Sequence, residues 1–180
     1  MNERTYNQNP DKLRAKERLE RLQPDRVVEL CLNDQSIKSV LDIGTGSGLF
    51  AEEFYKRDLK VTGVDINPDM LKAAKTNVPE GDFRLAGAEE LPFDDKSFDL
   101  VFMGMVFHEV DNHLKVLQEA KRTAKKAIVI LEWHYREEEI GPPLNHRLKE
   151  ELVIELAEKT GLVKTEIVSL GSMVLYKFFL

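Results

Sequence analysis

Cysteine is nearly missing from this chain: Cys31 stands alone among 180 residues. That excludes an internal disulfide and a thiolate metal cluster, and it fits a reducing, cytoplasmic compartment. A solitary cysteine of this kind reads as a small buried apolar residue. Long apolar runs are missing as well. Nothing reaches the roughly 18 residues that a membrane span needs, and the opening MNERTYNQNPDKLRAKERLE is polar and charged where a secretory signal would be apolar. No membrane association is expected. Positive charge is in deficit: 26 Lys plus Arg against 32 Asp plus Glu leave a formal charge of -6, which opposes attraction to a phosphate backbone and argues against nucleic acid as a partner. The one basic run, Lys121, Arg122, Lys125 and Lys126, reads as a solvated helix end whose cations complement the dipole.

What is present suits a single α/β domain. Hydrophobic residues make up 42% of the chain, enough for one sizeable core. We expect one domain over 1–180, with a helical cap over 1–36 and the main fold over 37–180. Two helical stretches between 10 and 35, broken near Pro24, present Leu13, Leu19 and Leu22, then Val27, Val28 and Leu30. Strand and helix patterns then alternate, which predicts a mostly parallel sheet with helices on both faces. SVLDI (39–43) is the first strand, and the helix after it sets Phe50, Ala51, Phe54 and Tyr55 on one face. KVTGVDI (60–66) is the second, followed by Asn67 as N-cap, Pro68 at the first helical position and Asp69 in the first turn of a helix to about 77. Strands three to five are expected at 83–88, 98–105 and 127–133, with a helix at 111–124, so that five strands alternate with four crossovers. A helix over 145–160 should align Leu148, Leu152 and Leu156. KTEIVSLG and SMVLYKFFL, separated by little more than Gly171 and Ser172, read as a closing antiparallel hairpin.

The stretch VLDIGTGSG (40–48) carries the first chemical signal. Gly44, Gly46 and Gly48 sit where a strand turns into a helix, and their missing side chains let a ligand approach the backbone amides there. A dinucleotide fingerprint needs glycine at the position of Leu49, and a triphosphate loop needs a lysine that this turn lacks. The following LFAEEF carries acids where a phosphate would bring negative charge, and Asp42 before the turn suits a ligand with a cationic group. Asp65 ends the second strand 21 residues after Gly44, where a carboxylate can accept both hydroxyls of a ribose.

With these residues the chain resembles the class I methyltransferases that use S-adenosylmethionine. VLDIGTGSG, VTGVDINPDML, AEELPFDDKSFDLV and MGMVFHEVD carry the resemblance in order and spacing, over about residues 37–180. It is most similar to the small-molecule branch that includes ubiquinone and menaquinone methyltransferases. The resemblance implies a Rossmann-like, seven-stranded sheet ending in an antiparallel hairpin, and S-adenosyl-L-methionine as cofactor. It implies that Gly44, Thr45 and Gly46 receive the methionine part, Asp65 the ribose and Ile66 one adenine face. Ala88 and Glu89 would border the adenine edge, and Met103 and Gly104 the amino group and sulfonium. Where the family often places Asp, two residues before the first Glu of AEELPF, this chain has Gly87.

Methyl transfer from a sulfonium is an in-line displacement, so alignment and exclusion of water matter more than catalytic groups. His108 is the candidate base, with a loop-anchoring histidine as the alternative. Trp133, His134, Tyr135 and Arg136 leave the fifth strand on the same side and are candidates to line an acceptor pocket, and residues 1 to about 20 are expected to close over it. An arsenite acceptor is disfavoured by the lone cysteine. A metal-dependent catechol mechanism is disfavoured because MGMVFH supplies no acidic ligands at the end of the fourth strand, so no metal is implied. Two other function classes stay open: a nonenzymatic binder of S-adenosylmethionine or S-adenosylhomocysteine, and, opposed by Leu49 and the hairpin, an NAD-linked oxidoreductase.

Overall fold

The computed structural model describes residues 9–32 and 36–180. Its centre is a seven-stranded sheet of β1 (Ser39–Ile43), β2 (Lys60–Asp65), β3 (Asp82–Leu85), β4 (Phe98–Gly104), β5 (Ala124–Trp133), β6 (Val163–Leu170) and β7 (Met173–Phe179), in the order β3-β2-β1-β4-β5-β7-β6. The first five strands run parallel, and β7 inserts antiparallel between β5 and β6. The strand order reverses beside β1 and β4, and such a switch point opens a crevice at the carboxyl ends of the strands.

Side chains alternate across the sheet and divide the core in two. Leu100 and Phe102 of β4, Val129, Leu131 and Trp133 of β5, and Leu175 of β7 face one side. Helices α1 (Lys16–Leu22), α2 (Pro24–Leu32) and α3 (Leu49–Tyr55) cover that side through Leu22, Val28 and Phe54. Val101 and Met103, Ile128 and Ile130, and Tyr176 face the other side, beneath α5 (His113–Thr123) and α6 (Glu150–Lys159). Lys177 is buried on the first side, where its ammonium donates to Leu30 O at 3.1 Å in the last turn of α2. That bond satisfies an orphan helix carbonyl and ties α2 to the sheet.

Between β2 and β3 lies α4 (Pro68–Asn77). Asn67 caps it by accepting from Asp69 N at 2.9 Å, with Pro68 in the first turn, as the sequence predicts. Four expectations are corrected. Tyr55 is 40% exposed and stands apart from the buried face of Phe50, Ala51 and Phe54. The β3–β4 connection contains no helix, so one of the four crossovers is a loop. Arg122 holds that loop by donating to Leu91 O and Phe93 O at 3.0 and 2.6 Å and by pairing with Asp95, while Glu119 accepts from Leu91 N. The basic run is therefore divided. Arg122 clamps a loop, Lys121 donates to Thr160 O at 2.6 Å, and Lys125 and Lys126 already belong to β5. The Arg122 guanidinium also holds the Glu119 carboxyl down at about 2. Finally, α6 begins only at Glu150 and buries Val153 and Ala157, with Leu148 ahead of it and Leu152 exposed.

Candidate active site

At the carboxyl end of β1 the chain turns through Gly44, Gly46 and Gly48, all in the left-handed region at φ +68°, +53° and +75°, which L side chains enter only with strain. Space adds a second demand at Gly44. A Cβ there would lie 2.4 Å from Val106 Cγ2, so the turns after β1 and β4 touch backbone to side chain. The amides of Gly44 and Thr45 donate to Val64 O at 2.8 and 3.0 Å, and that of Gly46 donates to Asp65 Oδ2 at 2.9 Å. The amides of Gly44, Thr45 and Gly46 are thus committed within the protein. This alters the expectation that a ligand meets those amides, because an anion would find them occupied, whereas the carbonyl edge of the turn favours a cation.

Asp42 lies behind the turn, 2% exposed, accepting from Thr45 Oγ1 at 2.7 Å. Burial pushes its carboxyl up to about 7, against the lowering effect of the Thr45 hydroxyl. The folded chain therefore holds this proton above the carboxyl's ordinary range. The associated stability is complete below about pH 4 and is lost as pH rises through about 7. Asp42→Asn keeps an acceptor for Thr45 and is expected to flatten that slope, raising the melting temperature at pH 8 relative to the parent while gaining nothing at pH 4. Calorimetric melts at the two pH values check it.

Asp65 ends β2 half-buried. Its Oδ1 accepts from Asn67 N at 2.9 Å, complementing the Gly46 bond, and desolvation raises its carboxyl above the ordinary range. Ile66 beside it is 48% exposed. Gly87 faces Ile66 across an open slot: a Cβ there would have Ile66 Cγ2 as its nearest contact, at 4.0 Å. Ala88 is half-buried on the same loop, while the Glu89 carboxylate accepts from Asn112 N at 2.8 Å, tying this loop to the start of α5. Gly87→Asp thus meets no steric barrier. We expect about tenfold tighter S-adenosylhomocysteine binding if the new carboxylate reaches the adenine amino group, the scale of one charge-assisted hydrogen bond. Calorimetry checks it, and a large loss of affinity in a folded variant would show that the loop is misassigned.

Met103 is fully buried in the core beneath α5, so only its backbone borders the crevice. Gly104 is held close, since a Cβ would lie 2.8 Å from the Phe50 ring. Met105 follows at φ +63°, a left-handed conformation in a buried non-glycine residue, the kind of strain that accumulates at functional sites. His108 then lies buried in a short 3-10 turn, Phe107–Glu109. Its ring Nδ1 is 3.0 and 2.8 Å from the two carboxylate oxygens of Glu132, and its amide donates to Glu132 Oε1 at 3.0 Å. Sequence reasoning passed over Glu132, although an acid inside the apolar run AIVILEW was a signal for it.

The residues after β5 are not gathered into one pocket. Trp133 is buried, with Arg21 of α1 and Arg147 within 5.7 and 5.0 Å of its ring centroid. Arg147 also gathers its loop by donating to Pro142 O, His134 O and Ile140 O. His134 bonds Ser169 and Arg136 bonds Gly171 O, both on the hairpin, and Tyr135 meets Lys149. Over the glycine turn sits the 3-10 segment Pro10–Arg14. Leu13 would lie 3.0 Å from a Cβ at Gly46, and Arg14 pairs with Glu52 and donates to Gly48 O at 3.1 Å. Tyr6 and the rest of 1–8 lie outside the described residues.

The sequence profile of the methyltransferase domain matches residues 41–130, which run from β1 into β5 and include both the glycine turn and Asp65. The chain belongs to this family. A demethylmenaquinone methyltransferase of Thermotoga maritima is 36% identical over 111 residues, covering 59% of this chain and 48% of the relative. An uncharacterized methyltransferase of Mycobacterium bovis is 33% identical over 104 residues, covering 58% and 43%. The chain spans about half the length of the curated relatives it matches. The crystal structure of a SAM dependent methyltransferase from Aquifex aeolicus superposes with a TM-score of 0.83 at 26% identity, covering 96% of this chain and 99% of that one. A Pyrococcus horikoshii protein of 18% identity, covering 93% of both chains with a TM-score of 0.80, shows the same fold. The methyltransferase domain therefore has the Rossmann-like, seven-stranded architecture with its closing hairpin.

Proposed function

We propose that this methyltransferase domain binds S-adenosylmethionine and transfers its methyl group to a small-molecule acceptor by in-line displacement, as one domain with residues 9–32 as a cap on the main fold. The observation that carries this reading is the form of the crevice. A glycine turn with committed amides lies beside a carboxylate at the end of β2 and an exposed Ile66 facing an open slot at Gly87. These residues fit the cofactor part by part. The carbonyl edge of Gly44 to Gly46 would hold its ammonium group, the remaining lone pairs of Asp65 its ribose hydroxyls, and Ile66 an adenine face. Ala88 and Glu89 would border the base, and the backbone of Met103 and Gly104 the reacting end. A pyrophosphate would face carbonyl oxygens in place of amides and would lack its third glycine.

When bound, the cofactor supplies an electrophilic methyl group on a sulfonium. The domain's own task is to orient it, exclude water and place the acceptor on the opposite side of the methyl. We assign the acceptor to the small-molecule class on the strength of the quinone-methylating relatives and the acidic balance of the chain. His108 is the candidate proton acceptor. Calorimetry with S-adenosylmethionine, S-adenosylhomocysteine and NADH, followed by a radiolabelled methyl-transfer screen over small metabolites, tests the reading. The first two ligands should bind, NADH should not, and label should move to an acceptor. Binding without transfer would make the protein a sensor of these ligands, and binding of NADH alone would overturn the assignment.

A further inference from the structure

We propose that a cavity at the amino ends of β4 and β5 is a second ligand site that takes a small amphipathic anion. A carboxylate or phosphate head would sit among Lys96, Lys121 and Lys125, and an apolar body against Val163, Phe179 and Leu180, all of which line the cavity. The proposal does not depend on the methyl-transfer reading. The cavity measures about 390 Å³, within the range of small-molecule pockets. β4 and β5 start beside it and run in parallel to the crevice, and the seven residues of β4 put roughly 20 Å between the two sites.

The fold leaves the charge of these lysines uncompensated, because the nearby acids serve other cations. Asp95 and Glu119 pair with Arg122 at 3.0 and 2.8 Å. Asp99 pairs with Lys126 at 3.4 Å and accepts from Lys38 N at 2.9 Å, and Lys125 acts on it only at longer range. Lys121 donates to the carbonyls of Thr160 and Gly161 at 2.6 and 3.2 Å, bonds that fix its ammonium without neutralising it. Among the described residues, Lys96, Lys121 and Lys125 form no ion pair and no acidic side chain lines the cavity. In a chain of formal charge -6 this is a local surplus of positive charge.

Lys96 is kept in place at a cost. Its backbone lies in the left-handed region at φ +51°, fixed by donation from its amide to Arg122 O at 2.8 Å, a conformation that suits glycine or asparagine and strains a lysine. Beside the lysines stands an apolar wall. Val163 is 73% and Leu180 47% exposed, and the β6–β7 register places Val163 opposite Phe179, so their side chains share one face. An inorganic anion would leave this wall in water, and a neutral apolar ligand would leave three ammonium groups without a partner. An anion with an apolar body uses both.

Decanoate is the probe, titrated into the full chain by calorimetry and by amide ¹⁵N shifts, with hexanoate, decyltrimethylammonium and phosphatidylglycerol vesicles as comparisons. We expect shifts at Lys96, Lys125 and Val163 while Gly44 and Gly46 stay unmoved. Affinity should rise about fourfold for each methylene added between hexanoate and decanoate, and decyltrimethylammonium should not bind. Lys96→Gly should weaken decanoate binding about tenfold with a melting temperature unchanged or raised, since the strain goes with the lysine. Lys125→Gln should weaken binding to a similar extent, and both variants should keep the parent's affinity for S-adenosylhomocysteine. No binding at decanoate concentrations on the order of 1 mM, shifts confined to the crevice, equal binding of decyltrimethylammonium, undiminished binding in both folded variants, or binding to vesicles alone would each overturn the site.

Discussion

Asp65→Ala is expected to weaken S-adenosylhomocysteine binding by about 30- to 1,000-fold, equivalent to roughly 2 to 4 kcal/mol for two ribose hydrogen bonds to a carboxylate. The same carboxylate accepts from Gly46 N and Asn67 N, so the variant also leaves two amides of the site without their partner. A fall in melting temperature of about 2 to 8 °C should accompany the loss, on the scale of 1 to 2 kcal/mol in a chain of this size. Calorimetric titration and a thermal melt separate the two effects. Unchanged affinity would remove Asp65 from the ribose site, whatever the melt shows.

Removing residues 1–23, so that the chain begins at Pro24, is expected to lower turnover by about 10²-fold through lost positioning and admitted water. The structure adds a consequence that a lid over the acceptor alone would lack. Leu13 lies against Gly46, and Arg14 holds Glu52 and the Gly48 carbonyl, so cofactor affinity should fall as well. Leu22, 2% exposed in the core, goes with the segment, at a stability cost of about 1.5 to 3 kcal/mol. Arg14→Ala keeps that leucine and isolates the contact with the turn. It should reduce S-adenosylhomocysteine affinity with a smaller change in melting temperature. Full turnover and affinity in the shortened chain would make 1–23 dispensable to the site.

Much of the glycine-turn side of the crevice was legible from local sequence, because its parts are backbone devices. Gly44, Gly46 and Gly48 mark left-handed positions, and Asn67-Pro68-Asp69 marks a helix start wherever it occurs. Asp65 is located by counting from the turn to the end of the next strand. The extent of β5 and the start of α6 were less legible. β5 begins directly at Ala124, where α5 ends, so two periodicities meet with no turn residue between them. Leu148 and Leu152 imitate a helical stripe that the fold divides between a loop and an exposed face.

The sequence alone determined the fold class, the glycine turn and the strand-end carboxylate, since each depends on residues within one βα unit and on preferences that act over a few positions. Tertiary structure decided what those residues meet. Glu132 and His108 are 24 residues apart and touch only because β4 and β5 pair in parallel and alternation turns Glu132 toward the histidine's side. Trp133, one position later, faces the opposite side, toward Arg21. The commitment of the turn amides to Val64 and Asp65 likewise requires β1 and β2 in register. A period of two fixes which residues share a face. Only the packed sheet fixes which faces meet.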